Sequence, residues 1–430
     1  MNYQETINYL FSQLPMYQRI GKAAYKANLN NTLALDKYFK QPHSKYKTIH
    51  IAGTNGKGST SHMIASVLMA AGYKVGLYTS PHLKDFRERI RINGNMISEE
   101  YVVDFVDKHR IIFEEIKPSF FEMTVALAFE YFANQEVDVA VIEVGLGGRL
   151  DSTNIISPVL GIITNIGLDH TDLLGDTIEQ IAAEKAGIIK ENTPIVISQT
   201  QPDVIEVFIE KAQENDAPIV FADEKYYIEL LNSTDIGKQK FRIENRENGE
   251  QLILDLDLLG NYQAINLPGV LASFDILNLE GFEINKSDIT NGLSNVIEKT
   301  GLLGRWQILN ESPLMICDTG HNLDGMSLIV TQISDTPHKN LHMVIGMVGD
   351  KNIDGILSIL PKNAKYYFTK ASIPRALDQN ELAKRAVEHG LIGISFPNVK
   401  EAIEEAKKNA ESNDLIFIGG STFIVADALI

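Results

Sequence analysis

At 430 residues the chain is too long for one small core and calls for two or three domains. Its 44% apolar and 22% charged side chains are ordinary for a globular protein, and a formal charge of −17 argues against nucleic acid or an anionic membrane as the main partner. The single cysteine, Cys317, rules out an intrachain disulfide, argues against a cysteine-based zinc site and reads as a small core hydrophobe. The N-terminal MNYQETINYLFSQLP has no basic start followed by an apolar core, and no apolar run nears the roughly 20 residues that span a bilayer. The expectation is a soluble, cytoplasmic protein.

In chain order, residues 1–14 predict an amphipathic helix with Ile7, Leu10 and Phe11 on one face, ended by Pro15. The polar stretch 16–40 reads as a substrate-lining loop followed by a helix. Thr48 to Ser59, TIHIAGTNGKGS, is the chain's most telling stretch: a β-branched run, a glycine-rich turn, then Ile64, Val67, Leu68 and Ala71 at helical spacing. Strand, turn and helix in that order make a phosphate loop. Glycines let successive N–H groups face one anion, the helix start adds a positive dipole end, and Lys57 adds a charge. Ser59 offers a hydroxyl to magnesium. The spacing is two residues shorter than the common G-x4-G-K-[ST] pattern, and a plain tight turn is the alternative reading.

Residues 74–80 read as a strand, 99–116 and 121–132 as helices, 137–144 as a strand with one carboxylate, and 159–165 as another. A helix over 176–186 and a strand over 195–198 follow. Strands alternating with helices predict a mainly parallel sheet covered on both faces. Residues 219–259 read as an antiparallel patch on the same domain, closed by helical patterns at 262–279 and 286–298. Lys299–Gly304 reads as a linker between a domain over 1–298 and a smaller α/β domain over 305–430. In the latter, strands at 314–318, 341–347, 365–370 and 414–418 alternate with helices at 322–333, 378–389 and 399–411. The fold class is thus α/β: a P-loop-type, mainly parallel N-terminal domain with a small antiparallel patch, plus a smaller Rossmann-like C-terminal domain.

Ligands of parallel sheets gather at the carboxyl ends of strands. Those ends carry Ser80, Glu143, and Asp169 with His170. Glu143, on an otherwise apolar strand, is costly unless it meets a cation, which is either magnesium or a basic side chain. His170 alone is as readily a satisfied histidine as a ligand, and Ser80 before Pro81 is also a common turn residue. Arg149 and Asp151 form either a loop ion pair or a clamp for a substrate carboxylate. In the C-terminal domain Asp318 and His321 stand behind an apolar strand, where Asp318 or Asn322 can also cap the next helix. Arg305 is either a surface arginine or a ligand to a nucleotide phosphate.

Together these residues resemble the Mur ligase superfamily, and within it the folylpolyglutamate synthases, including the form that also makes dihydrofolate. The resemblance runs through GTNGKGS at 53–59, LYTSPHL at 77–83, FFE at 120–122, EVGLGGRLDSTN at 143–154 and LDH at 168–170. It continues through EKAGIIK at 184–190, GNYQAIN at 260–266, GRW at 304–306 and DTGHNLDG at 318–325. The short TNGKGS form is the family's own. DTGHN departs from the usual D-G/A-A-H-N but keeps Asp318 and His321, and 16–40 has no clear match.

The resemblance implies that Asn55, Gly56, Lys57, Gly58, Ser59, Asn266, Arg305 and Asp318 bind ATP, with Lys57, Lys185 and His321 catalytic. It implies that Ser80, Glu143 and His170 hold magnesium, and that Lys185, otherwise read as a surface charge on its helix, is carbamylated to support a second ion. Ser119, Phe120, Phe121 and Glu122 with Leu150, Asp151 and Ser152 match the pterin-substrate region. The implied activity is ATP-dependent addition of L-glutamate to dihydropteroate, to folates, or to both, through an acyl phosphate, by a monomer without nucleic-acid or membrane partners. A cell-wall ligase acting on a UDP-muramoyl substrate is disfavoured by LYTSPHL and GLGGRLDSTN; a regulatory ATPase is the competing reading from another class.

Overall fold

A computed structural model describes residues 1–13, 28–232, 237–349 and 352–429. They fall into two compact units, Met1–Asp257 with Gln263–Leu302, and Leu258–Tyr262 with Leu303–Ile430. Pro15 and residues 16–27 of the polar stretch lie outside the described residues.

The first unit is built on eight strands: β1 Lys47–Ala52, β2 Val75–Tyr78, β3 Ile90–Ile92, β4 Asn95–Met96, β5 Val139–Glu143, β6 Leu160–Ile163, β7 Ile195–Ile197 and β8 Ile219–Phe221. Their order is β4-β3-β2-β5-β1-β6-β7-β8. The six strands from β2 to β8 in that order are parallel, and β3 and β4 extend the edge antiparallel. Every residue of β2, β5, β6 and β7 is buried, which is why these segments read as unbroken apolar runs. Parallel strands place all their carboxyl ends on one edge. The turns after β1, β2, β5 and β6 therefore lie side by side.

Helices cover both faces. One face holds Tyr3–Gln13, Glu99–Ile116 and Phe120–Asn134, whose apolar stripes share a core with Tyr78, Phe105, Phe113, Phe129 and Phe132. Ser98 caps the second of these helices, and a reciprocal Ser119–Glu122 capping box starts the third. The opposite core packs Ile181 and Ala186 of Ile178–Ala186 against Phe208 of Ile205–Glu214. The helix Lys57–Ala70 is buried all round, from Ser59 to Leu68.

Several segments differ from the sequence reading, which also did not assign helix Ile205–Glu214 or the strands Gln307–Glu311 and Gly393–Ser395. Residues 219–221 close the parallel sheet as β8, and only β9 Tyr226–Leu231, β10 Gln239–Asn245 and β11 Gln251–Leu256 form the antiparallel patch. The helical pattern at 286–298 is broken into Lys286–Leu293 and Val296–Thr300, because Asn295 leaves the helical region. The β3–β4 ribbon around Asn93-Gly94 gave no sequence signal, being two and three residues long with Arg91 in its middle.

In the second unit β12 Gln307–Glu311, β13 Leu314–Cys317, β14 Leu341–Ile345, β15 Lys365–Phe368, β16 Gly393–Ser395 and β17 Leu415–Gly419 are ordered β12-β13-β17-β14-β15-β16. Only β12 is antiparallel, and helices follow the parallel strands in Rossmann-like alternation. Among the described residues no helix is long and apolar enough to cross a membrane.

Helix Lys286–Leu293 sits on the phosphate-loop helix through Gly292, whose carbonyl accepts a 2.6 Å bond from Ser66 Oγ. A Cβ at Gly292 would come within 2.5 Å of Val67 Cα, which is backbone and does not yield. Gly292→Ala is therefore expected to destabilise the unit by about 1–3 kcal/mol. Urea unfolding of the variant beside wild type measures it.

Candidate active site

The turn after β1 is set by its glycines. Gly56, at φ +85°, is the last residue before helix Lys57–Ala70, and a Cβ there would run into the Asn266 carboxamide. Asn266 is buried and donates to Gln263 Oε1 (2.8 Å), while Gln263 Nε2 donates to Ser59 Oγ (3.1 Å). Helix Gln263–Leu279 thus backs the loop with two amides. From the β6 side, Thr54 N–H donates to Asn165 O and Asn55 N–H to Asn165 Oδ1, both at 2.9 Å. Thr164 Oγ1 donates to Asn55 O (2.6 Å), and Gly167 N–H to Thr54 Oγ1 (3.0 Å). The first-turn N–H groups of a helix have no acceptor within it, which makes a helix start a ready seat for an anion.

Two ammonium groups meet at this turn. Lys57 Nζ donates to Gly53 O (3.0 Å) and Thr54 O (3.1 Å), and Lys185 Nζ donates to the same Gly53 O (3.0 Å). Lys185 is buried on helix Ile178–Ala186, which corrects its reading as a surface charge: a period-based reading sees its spacing but not the turn that covers it. Burial first, and the Lys57 charge second, push its ammonium down to about 7, against the pull of Asp169 and Asp151. A lysine half neutral at pH 7 is a competent nucleophile toward CO2.

Glu143 ends β5 beside Ile51 of β1 and is 5% exposed. Its Oε2 accepts the Ser80 N–H (3.0 Å), so the ends of β2 and β5 are joined at that carboxylate. His170 stands at φ +51° before the short helix Thr171–Leu174, with Nε2 3.9 Å from Asp169 Oδ1. Among the described residues no three His, Cys, Asp or Glu side chains form a metal cage. Magnesium takes one or two protein oxygens and fills its octahedron with phosphate and water. The buried Glu143 carboxylate and the Ser80 hydroxyl fit such a site in donor chemistry.

The turn after β5 meets the start of helix Phe120–Asn134, where the Phe121 ring lies against Gly145 and Tyr78. Phe120 packs on Phe11 and Phe86. Glu122 caps the Ser119 N–H (2.5 Å) and accepts from Asn31 Nδ2 (3.2 Å). Asp151 accepts from Leu146 N–H (2.8 Å), Thr153 N–H (3.0 Å) and Thr153 Oγ1 (2.6 Å), while burial raises its carboxyl pKa. From between Leu150 and Ser152 it holds the glycine turn 145–148 through the Leu146 N–H. The suggested Arg149–Asp151 ion pair is not made: Arg149 pairs with Glu184 (2.7 Å).

In the second unit Asp318 is buried and accepts from the Tyr262 hydroxyl (2.5 Å), Trp306 N–H (2.7 Å) and Gly320 N–H (2.8 Å). Burial raises its pKa, opposed by Arg305. Arg305 bonds Thr319 Oγ1, and His321 Nδ1 lies 3.0 Å from Thr319 O. Asn322, not Asp318, caps helix Leu323–Asp335. Cys317 is buried and free.

A Mur ligase middle-domain model matches residues 51–274, and the model of the Mur ligase glutamate ligase domain matches 304–422. The chain belongs to the Mur ligase family. It is 34% identical over 420 residues to the dihydrofolate synthase/folylpolyglutamate synthase of Bacillus subtilis, covering 94% of this chain and 95% of that protein. A probable bifunctional folylpolyglutamate synthase/dihydropteroate synthase of Haloferax volcanii is 31% identical over 440 residues; these are all of this chain but 50% of that longer protein. The crystal structure of the bifunctional folylpolyglutamate synthase/dihydrofolate synthase from Yersinia pestis, complexed with AMPPNP and Mn, superposes with a TM-score of 0.83 at 29% identity, covering 100% and 97% of the two chains.

In this Mur ligase the sequence reading passed over Asn165, Thr164 and Gln263, which hold the glycine turn from both sides. Asn165 closing a strand was the one available signal. The depressed Lys185 carries a linkage consequence. Between about pH 7 and 10.5 the unfolded chain holds a proton that the folded chain has lost, so stability rises with pH through that window, by at most about 1.4 kcal/mol per unit. In CO2-free buffer, Lys185→Met is expected to lack this slope relative to wild type, as chemical denaturation at pH 7, 8 and 9 reads out.

Proposed function

We propose that this protein is an ATP-dependent ligase that joins L-glutamate to dihydropteroate, to the γ-carboxylate of folates, or to both, as a cytoplasmic monomer. The observation that carries the reading is the glycine turn with Lys57 and Lys185 on one carbonyl, next to the strand end that holds Glu143. A triphosphate seated there would lie against the first-turn N–H groups and Lys57, and the terminal phosphate would meet the acceptor carboxylate on the Glu143 side. Attack of that carboxylate on the γ-phosphate gives an acyl phosphate and ADP; the glutamate amine then displaces phosphate. Ser80, Glu143 and His170 would hold magnesium, which would supply neutralisation of the phosphoryl oxygens.

Lys185 fits a further role. Its neutral amine can add to CO2 and lose a proton, leaving a carbamate whose oxygens support a second magnesium and whose negative charge relieves the crowding with Lys57. Asn55, Gly58 and Ser59 join Gly56 and Lys57 around the phosphates, and Asn266 holds Gly56 from behind. Arg305, Asp318 and His321 are assigned to nucleotide and glutamate handling in the glutamate ligase domain. Ser119–Glu122 and Leu150–Ser152 are assigned to the pterin side.

Phosphate release tests the reading. Turnover is expected only when glutamate and an acceptor are both present, with dihydropteroate and tetrahydrofolate tried separately. Glu143→Gln is expected to lower it by about 100-fold or more with the fold intact, the loss of a charge-bearing transition-state contact. ATP hydrolysis indifferent to glutamate and to both acceptors would favour the regulatory ATPase instead.

A further inference from the structure

Arg89 is a buried cation that the reaction as described leaves unused. It closes the turn Phe86–Arg89 and is 2% exposed. Its carbonyl accepts the Thr79 N–H (3.1 Å), which pins it to the carboxyl end of β2, beside Ser80. The neighbouring acids are committed elsewhere. Glu88 accepts the N–H groups of Leu83, Lys84 and Asp85 at 2.7–2.9 Å, and Asp85 takes Arg87 and the Tyr3 hydroxyl. Arg89 itself makes no ion pair with any described carboxylate. Its Nε donates to His82 Nδ1 (2.8 Å), a neutral acceptor, and its guanidinium stands 5.4 Å from the Phe120 ring centre. The Tyr78 hydroxyl and the Glu143 carboxylate are its remaining polar neighbours.

A guanidinium taken out of water without an ion-pair partner is costly unless an anion joins it. Its planar fork matches a carboxylate in two parallel bonds. Position tells which anion. The phosphate loop leaves β1, Glu143 ends β5, and Arg89 leads into β3, across from Thr79 at the end of β2 and on the far side of β5. Three strand spacings, about 14 Å, separate the loop's strand from that of Arg89, with the proposed metal carboxylate between them. Phe120, from the segment assigned to the pterin side, covers the same guanidinium.

We propose that Arg89 binds the acceptor carboxylate, the group that takes the phosphoryl and then the glutamate. The inference rests on the ligase reading above and adds to it the residue that recognises the acid. A purely structural Arg89 would instead serve only to balance Glu143.

Binding of folate and of its γ-carboxamide analogue to the full chain with Mg2+ and AMPPNP, by calorimetry, separates the two roles. Wild type is expected to prefer the acid by roughly tenfold or more, as a charge-assisted bidentate contact does. Arg89→Met is expected to bind acid and amide alike with AMPPNP affinity unchanged, and Arg89→Lys to keep part of the preference. An acid-to-amide ratio near one in wild type, or a wild-type ratio kept in Arg89→Met, would overturn the proposal; the wild-type arm needs no variant to fold. A shift in Mn2+ affinity alone in Arg89→Met would do the same and assign the residue to Glu143. Wild type that binds neither folate nor dihydropteroate would overturn the folate reading and this inference with it.

Discussion

Two ammonium groups share one carbonyl oxygen, that of Gly53. Like charges brought to a single acceptor repel, and one of the pair is buried, so without an anion the arrangement is unfavourable and the proton on Lys185 is held loosely. Two anions would resolve the conflict. Under the proposed function, a triphosphate over the helix start would compensate Lys57, and a carbamate on Lys185 would reverse the sign of the second charge. The folded chain has concentrated positive potential where it expects phosphate.

The rest of the first unit serves to keep that spot in place. Gly56 takes a backbone conformation that a side chain would strain, and Asn266 fills the space a Cβ would need. Asn165 and Thr164 fix the turn from β6, Gln263 holds Ser59 from the next helix, and parallel pairing sets the Glu143 strand directly beside β1. A loop held by so many bonds loses little freedom when a nucleotide arrives, which favours tight, oriented binding.

Much of this was legible in the sequence, for physical reasons that can be named. Buried parallel strands are largely apolar, so β5, β6 and the Ile49–Ile51 part of β1, with the polar residues just beyond them, stood out. The glycine turn between strand and helix declared itself through conformational need. What stayed hidden depended on contacts distant in the chain. Lys185 looks solvent-facing until the turn 132 residues away covers it. The acid partners that leave Arg89 bare are taken by backbone groups and by Tyr3, and no local pattern encodes that. The β3–β4 ribbon is too short for periodicity to register, and a single break at Asn295 divides what reads as one helix.

The most direct test of the account is a crystal structure of the protein with AMPPNP and Mg2+. The phosphate oxygens are expected within hydrogen-bonding distance of the first-turn N–H groups and of Lys57 Nζ, at the turn that begins with Gly53. A triphosphate bound elsewhere, with Lys57 and Lys185 still bonded to the Gly53 carbonyl, would contradict it.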